Sequence, residues 1–503
     1  MPRRIIRELK TLSVWALSLA ISGCIGTGGI APQGRALNAN NLATDEAIQS
    51  AAHDAHWPTT QWWQAYGDPQ LNQWVQLATQ NSPSLAMAAA RVREARAMAG
   101  IAESAESLQI NSDTTLKRHN WPKDQFYGPG ELSGTTTWDN NSSLGLSYAL
   151  DLWGSESNAS ERAVDLAHMS AAEARQAQLE LQNNVVRAYI QLSLQYANRD
   201  IVAATLAQQQ QILDLANKRL NAGIGTHLDV SQAETPLPET HRQLDALDED
   251  IALSRNQLAA LAGKGPGEGA QLQRPSLSLA APLKLPSSLP AQLLGQRPDV
   301  VAGRWQVAAQ ARGIDVAHAG FYPNVDLVAS LGYMATGGGL LEFLAGKKFN
   351  YNVGPAITLP IFDGGRLRGQ LGEASAGYDL AVAKYNQTLV NALKGISDQL
   401  IRRESMDKQA SFAAQSVASA QKTYDIAMIA YQRGLTDYLN VLNAQTLLFH
   451  QQQIEQQVQA ARLSAHAELV TALGGGLGAG NDVPPDTKTL PSKTPTALAV
   501  FDH

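Results

Sequence analysis

The chain has 503 residues, with Lys+Arg 39 against Asp+Glu 45 and a formal net charge of −6. That balance leaves no basic excess to hold a phosphate backbone, which argues against a nucleic-acid partner. Only 17% of residues are charged and 6% are aromatic, lean values for a large soluble enzyme, and one cysteine excludes an internal disulfide framework or a thiolate zinc cluster.

Arg3, Arg4, Arg7 and Lys10 form a positive region ahead of a short apolar stretch from Thr11 to Ile21, too short to span a bilayer as a stop-transfer helix. Ile21-Ser22-Gly23-Cys24 follows and resembles the lipobox of bacterial lipoproteins, with the only cysteine at the position lipidation needs. Residues 1–23 are therefore expected to be a lipoprotein signal peptide, and Cys24 the acylated first residue of an exported chain. Acyl chains contribute about 0.8 kcal/mol per buried CH₂, so several on one residue hold a terminus firmly at a membrane. Ile25, rather than Asp, follows Cys24, which favours the outer membrane of a Gram-negative cell. No later run of about 18 apolar residues exists, so any crossing of a membrane must use β-strands.

Residues 24–56 are small, polar and rich in Gly, Asn and Ala, and read as an extended tether. Regular structure is expected from Trp57-Pro58 and Trp62-Trp63 onward. The chain then writes one unit twice, at an offset of roughly 210 residues. Leu144-Gly145, Leu150 and Trp153 match Val353-Gly354, Leu359 and Phe362, and Asn221 to Thr235 matches Gln432 to Thr446. This period is far longer than the 20–50 residues of a solenoid, and implies an internally duplicated domain. The units are 57–264 and 290–476, with a linker at 265–289 and a tail at 477–503 that reads as disordered.

Each unit reads as a helix, two strands and two long helices. From Ser155 to Ala222 there is no Gly or Pro over about 68 residues, enough for a helix of about 100 Å. Its apolar residues form a narrow stripe interleaved with Ala and Gln, suited to coiled-coil packing. The counterpart from Arg366 to Gln432 contains Gly369, Gly372, Gly377 and Gly395, which weaken the case for an unbroken start. Returning helices are expected from Thr226 to Ala262 and from Thr436 to Leu473. Tight turns at Gly223-Ile224-Gly225 and Gly434-Leu435 join them. Pro236 and Pro238 predict a kink about ten residues past the first turn.

Strands are predicted at Ser142–Leu152, Val325–Tyr333 and Phe349–Leu359, with a weaker one at about Leu108–Lys117. Each alternates apolar and polar residues at the length of about 9–11 that a tilted strand needs to cross hydrocarbon. Pro355 is a blemish in its ladder. Four strands cannot close a barrel, since outer-membrane barrels begin at about eight. The chain must oligomerise to remove its strand edges, and the arithmetic allows two, three or four protomers.

Five stretches in order carry a family resemblance: "WWQAYGDPQLNQWV" from Trp62, "RPDVVAGRWQVAAQA" from Arg297, "FYPNVDL" from Phe321, "LPIFDGGR" from Leu359 and "YQRGLTDYLNVLNAQ" from Tyr431. The chain resembles the TolC/OprM-like outer-membrane factors of tripartite efflux systems, in their lipoprotein branch, over nearly the whole mature length. The resemblance implies a mainly α fold with a membrane β-barrel portion. Three protomers would build a 12-stranded β-barrel continued by a 12-helix periplasmic α-barrel with a small mixed equatorial domain. Trp121 to Trp138 and Ala335 to Lys348 would be the extracellular loops, and Asp151-Leu152 and Leu359-Pro360 the bends from barrel to tube.

The resemblance further implies a passive conduit joined to a periplasmic adaptor protein and an inner-membrane pump, gated at the hairpin tips. Gly223, Gly225, Gly434 and Leu435 would be adaptor-contact positions. Asp229, Tyr431, Asp437, Asn440 and Asn443 would be gate positions, with Tyr431 and Asp229 locking the closed tip. Some family members present acidic residues where this chain has Asn440 and Asn443, so a weaker response to cations is expected. No catalytic residue, metal or cofactor is expected beyond the lipid on Cys24, since no HExxH, Gx₄GK[ST] or partnered GxSxG occurs. The other readings are a poreless periplasmic coiled-coil lipoprotein and a type I secretion conduit for proteins. The lipobox and the Arg297-Pro298-Asp299-Val300 branch favour small toxic molecules as cargo.

Overall fold

A computed structural model describes residues 26–38, 42–43, 48, 59–123, 132–279 and 297–476. Cys24, Trp57-Pro58, part of the first predicted loop and the tail from 477 lie outside the described residues.

A short 3-10 turn at Trp62–Tyr66 leads into helices α1 (Pro69–Asn81) and α2 (Pro83–Ser104), each opened by a proline at its first position. Strands β1 (Gln109–Asn120) and β2 (Thr136–Ala149) follow, then the long helix α3 (Ser155–Asn221). After the first tip come α4 (His227–Glu234), α5 (Pro236–Leu261) and the short α6 (Pro266–Ala270). The second half repeats the order with α7 (Pro298–Ala319), β3 (Asn324–Thr336), β4 (Phe349–Thr358), α8 (Arg366–Gln432) and α9 (Tyr438–Ala472). Both α3 and α8 are 67 residues long, about 100 Å at 1.5 Å per residue.

The predicted elements are present, with three corrections. The glycines of α8 do not interrupt it: Gly369, Gly372 and Gly395 have open space around them, and packing along the rest of the helix offsets their conformational cost. The returning helix expected from Thr226 to Ala262 divides at Thr235, because Pro236 supplies no N–H to continue the ladder. The strands run longer at the loop end than predicted, so Trp138 and Ala335 belong to β2 and β3 and not to loops.

The four strands form one antiparallel sheet in the order β1-β2-β3-β4. At its other end Asp151 accepts from the N–H groups of Glu156 (3.2 Å) and Ser157 (2.9 Å), and Asp363 accepts from Leu367 N–H (2.8 Å), so each long helix starts at a fixed bend. Those backbone donors, Leu367 first, hold the Asp363 carboxyl below its ordinary range.

A collar packs halfway down α3, and among the described residues it is helical, without the strands a mixed equatorial domain would bring. Trp62, Trp63, Tyr66, Leu71 and Val75 bury against Val185, Tyr189 and Leu192 of α3 and Leu463 and Val470 of α9. Each fully buried leucine there contributes about 2 kcal/mol. Asp68 ties the collar together: it caps α1 through Gln70 N–H (2.8 Å) and accepts from Tyr189 Oη (2.9 Å) and Ser276 N–H (2.8 Å). On the other side, Arg297 forks onto Asp299 (2.7 Å) and donates to the carbonyl of Ala472, which fixes the start of α7 against the end of α9.

Candidate functional site: a channel wall and its hairpin tips

The register of the sheet sorts its side chains into two unlike faces. One row runs Ile110–Leu146–Ala329–Val353 and the next but one in the same face Ser112–Leu144–Leu331–Tyr351. Between them on the opposite face lies Asn111–Gly145–Ser330–Asn352, beside Asp113, Lys117, Asp139 and Asp326. Arg118 is the sole charged strand residue on the apolar face. Aromatic rings flank the apolar band at both ends. Tyr333, Phe349 and Tyr351 stand at the loop end with ring centroids 5.6 and 6.3 Å apart, and Trp153 stacks on Tyr322 at 4.6 Å at the helix end. An apolar band between aromatic girdles with a polar reverse is the pattern of a strand wall between lipid and a water-filled pore.

The edges are open on matching sides along the whole length. Among the described residues, strand β1 pairs only with β2, and β4 only with β3. Below the sheet the helices continue as a wall in the order α2–α3–α7–α8 above the collar, and α5–α3–α9–α8 below it. Helix α8, at one end of that wall, exposes Leu380, Ile401, Phe412 and Ile426, and α2, at the other, exposes Met98 and Ile101.

The described part of the tether is fastened to that wall. Gln33 and Gly34 donate their N–H groups to Asp379 Oδ1 (2.8 and 2.6 Å), Leu37 N–H donates to Asn386 Oδ1 (2.8 Å), and Arg368 Nε donates to the carbonyl of Gly26 (2.9 Å). Gly26, two residues past Cys24, is thus held beside the first turn of α8, just below the sheet.

The two tips are built alike. Gly223 (φ 74) ends the first helix and Gly434 (φ 73) the second, and Gly225 lies so close to the backbone of Arg219 and Leu220 that a Cβ would stand 2.9 Å from Leu220 N. Thr226 and Asp229 then form a capping box, with Thr226 N–H donating to Asp229 Oδ2 (2.9 Å) and Asp229 N–H to Thr226 Oγ1 (3.1 Å). Asp437 caps α9 through Asn440 N–H (3.2 Å), and Asn440 Nδ2 donates to Thr436 Oγ1 (2.8 Å). Asn440 and Asn443 are exposed, as are Ile224, Leu228, Leu435 and Leu439.

Tyr431 is buried, and its partner is Arg219. The guanidinium stands 5.0 Å over the Tyr431 ring while Nη1 donates to the Tyr431 carbonyl (3.0 Å), linking the end of α3 to the end of α8. Asp229 caps its own helix and acts on Tyr431 only through its charge: burial lifts the phenol, Arg219 opposes the shift and Asp229 adds to it. Tyr438 lies 6.0 Å from Tyr431 in the same apolar cluster with Tyr424, Val441 and Ile212, and its phenol is pushed up to about 12 by burial. The hydroxyls of Tyr431 and Tyr438 are buried without a hydrogen-bond partner among the described residues. Arg219 and Tyr438 are the tip residues that sequence reasoning missed. The available signal for Arg219 was its place as a cation in the last turn of a long helix.

Among the described residues, no group of three or more His, Cys, Asp or Glu is placed to hold a metal ion, and no helix is long and apolar enough to cross a membrane. A two-faced strand wall continued by helices of about 100 Å is the architecture of an outer-membrane channel chain. The chain belongs to the outer membrane efflux protein family, whose model matches it twice, over residues 74–264 and 289–475.

Among curated relatives, the fusaric acid resistance protein FusA of Burkholderia cepacia is 46% identical over 94% of this chain and 89% of its own. The pyoverdine export outer membrane protein OpmQ of Pseudomonas aeruginosa is 30% identical over 93% of this chain and 97% of its own. Of solved structures, the outer membrane protein VceC of Vibrio cholerae superposes with a TM-score of 0.77 at 34% identity, over 84% of this chain and all of that one. The protein is therefore the outer-membrane channel component of a tripartite efflux system.

Proposed function

We propose that three copies assemble edge to edge, β4 and α8 of one protomer against β1, α2 and α5 of the next. The result is a 12-stranded barrel continued by a 12-helix tube through the periplasm. The observation that carries this reading is the coincidence of the open edges: the sheet and the helical wall both end at β1–α2–α5 on one side and at β4–α8 on the other. An exposed strand edge and an exposed apolar helix face on the same side are both relieved by one neighbour. The doubled family match at 74–264 and 289–475 supports an internal duplication, which gives the trimer pseudo-sixfold character.

The channel is passive, with energy supplied by an inner-membrane pump through an adaptor. The adaptor docks on the exposed apolar tips around Ile224, Leu228, Leu435 and Leu439, and the tip opens when Arg219 releases Tyr431. Acylated Cys24 anchors the mature chain, and the strap from Gly26 along α8 keeps that anchor level with the base of the barrel. The cargo is a small toxic compound, and the FusA likeness favours an aromatic acid such as fusaric acid. Deleting the gene and restoring it on a plasmid, while scoring tolerance of drugs, dyes and fusaric acid, tests the cargo class. Unchanged tolerance of all three, with the protein present in the outer membrane of the complemented strain, would refute it.

A further inference from the structure

The β3–β4 connection, Gly337 to Lys348, lies at the loop end of the sheet, and the register tells which face it covers. Gly337 N–H donates to the Trp138 carbonyl (2.8 Å), carrying the β2–β3 ladder one step past Thr336. The chain then folds back. Asn140 Nδ2 donates to the carbonyl of Leu340 (2.7 Å), and 3-10 turns at Glu342–Leu344 and Gly346–Lys348 pack on β3. Asn140 and Ala335 face each other in the Leu116 row, on the apolar side of the sheet, and are only 1% and 5% exposed. Met334, next to Ala335 but on the polar face, stays 52% exposed. The loop therefore lies over the outside of the wall and leaves the pore side uncovered.

In that position it buries Phe343 (5% exposed) yet turns Leu340, Leu341 and Leu344 outward at 42%, 66% and 53% exposure. The loop carries one acid, Glu342, against two cations, Lys347 and Lys348, and so a net positive charge. Glu342 is occupied in accepting from Gly339 N–H (3.0 Å), no strand position of the apolar face holds an acid, and Lys347 and Lys348 follow directly.

We propose that this loop is a lip that grips the outer leaflet: the leucines enter the interfacial layer while Lys347 and Lys348 pair with lipid phosphates. The occupant is lipid because the lip lies on the same face as the lipid-facing band, at its rim, and because its net positive charge complements a phosphate-bearing headgroup layer. Apolar residues beside lysines are the composition of interfacial anchors. The inference rests on the barrel reading above, and the experiment separates the two.

The chain has a single cysteine, Cys24, which the reading above takes as acylated and so blocked, and one new cysteine can then be labelled uniquely. Full-length Leu341→Cys, Val353→Cys and Asn352→Cys variants carrying an environment-sensitive fluorophore are reconstituted into phosphatidylcholine vesicles with brominated acyl chains, with and without phosphatidylglycerol. The label on Leu341→Cys should be quenched as strongly as that on Val353→Cys, and severalfold more than that on the pore-side Asn352→Cys. Phosphatidylglycerol should deepen the quenching at Leu341→Cys, and adding Lys347→Ala with Lys348→Ala should abolish that gain, about fivefold in partition for each lysine. Quenching at Val353→Cys without quenching at Leu341→Cys overturns the lip. A gain that survives loss of both lysines overturns the phosphate contact, and absence of quenching at Val353→Cys overturns the barrel itself.

Discussion

Replacing Arg219 by alanine tests the tip most sharply. In the structure this side chain holds two hairpins together, stacking 5.0 Å over the Tyr431 ring and donating to the Tyr431 carbonyl at 3.0 Å. A half-buried cation–π contact contributes about 1 kcal/mol. A hydrogen bond from a charged donor contributes about 1.5 kcal/mol at the low end of its range. Discounting for solvent around the partly exposed guanidinium leaves about 2 kcal/mol per protomer. Loss of that amount raises the population of an open tip about 30-fold. Single-channel recording of the protein in planar bilayers should therefore show longer and larger openings for Arg219→Ala. Arg219→Lys should fall between, because an ammonium keeps the charge but loses the planar stack. An Arg219→Ala protein of normal mobility on native gels whose openings match the unaltered protein would refute the lock.

Three further outcomes follow from the same geometry. Exposed Asn440 and Asn443 carry no charge, so trivalent cations should block weakly from the periplasmic side, and Asn440→Asp with Asn443→Asp should create block at micromolar concentration; equal sensitivity of the two proteins would contradict the assignment. Gly223→Ala and Gly434→Ala place a Cβ at φ 74 and 73, which costs about 1–2 kcal/mol at each tip, so amide exchange there should quicken with the collar unaffected. Asp165 is buried on α3 with Oδ2 unpartnered, and burial lifts its carboxyl from 3.8 to about 7, opposed by Arg312 and aided by Glu161. A raised native pKa stabilises fully below the unfolded value near 4 and is lost as pH climbs through 7. Thermal stability should fall between about pH 4 and pH 7, and Asp165→Asn should shrink that fall; a variant with the full pH dependence would count against the buried acid.

The helices were legible because a stretch such as Ser155 to Ala222 contains neither residue that breaks a ladder. The strands were legible where alternation met a lipid face and illegible at the rim, where Thr136 to Asn141 of β2 are mostly polar on both sides. Gly369, Gly372 and Gly395 misled, since local propensity is a small term in a helix packed along its length. The tip glycines and caps stood out as turn chemistry. Arg219 did not, because its meeting with Tyr431 joins residues 212 apart in sequence. The same holds for Asp379 and Asn386, whose hold on the tether depends on a chain separation above 340 residues.

The account depends on edges that one chain leaves open and two neighbours close. Native mass spectrometry of the protein purified from membranes, released from detergent under gentle conditions, measures the number of chains directly. Three copies, with loss of the assembly when a lysine replaces exposed Phe412 of the edge helix α8, are predicted. A stable single chain that inserts into bilayers and conducts ions would contradict it.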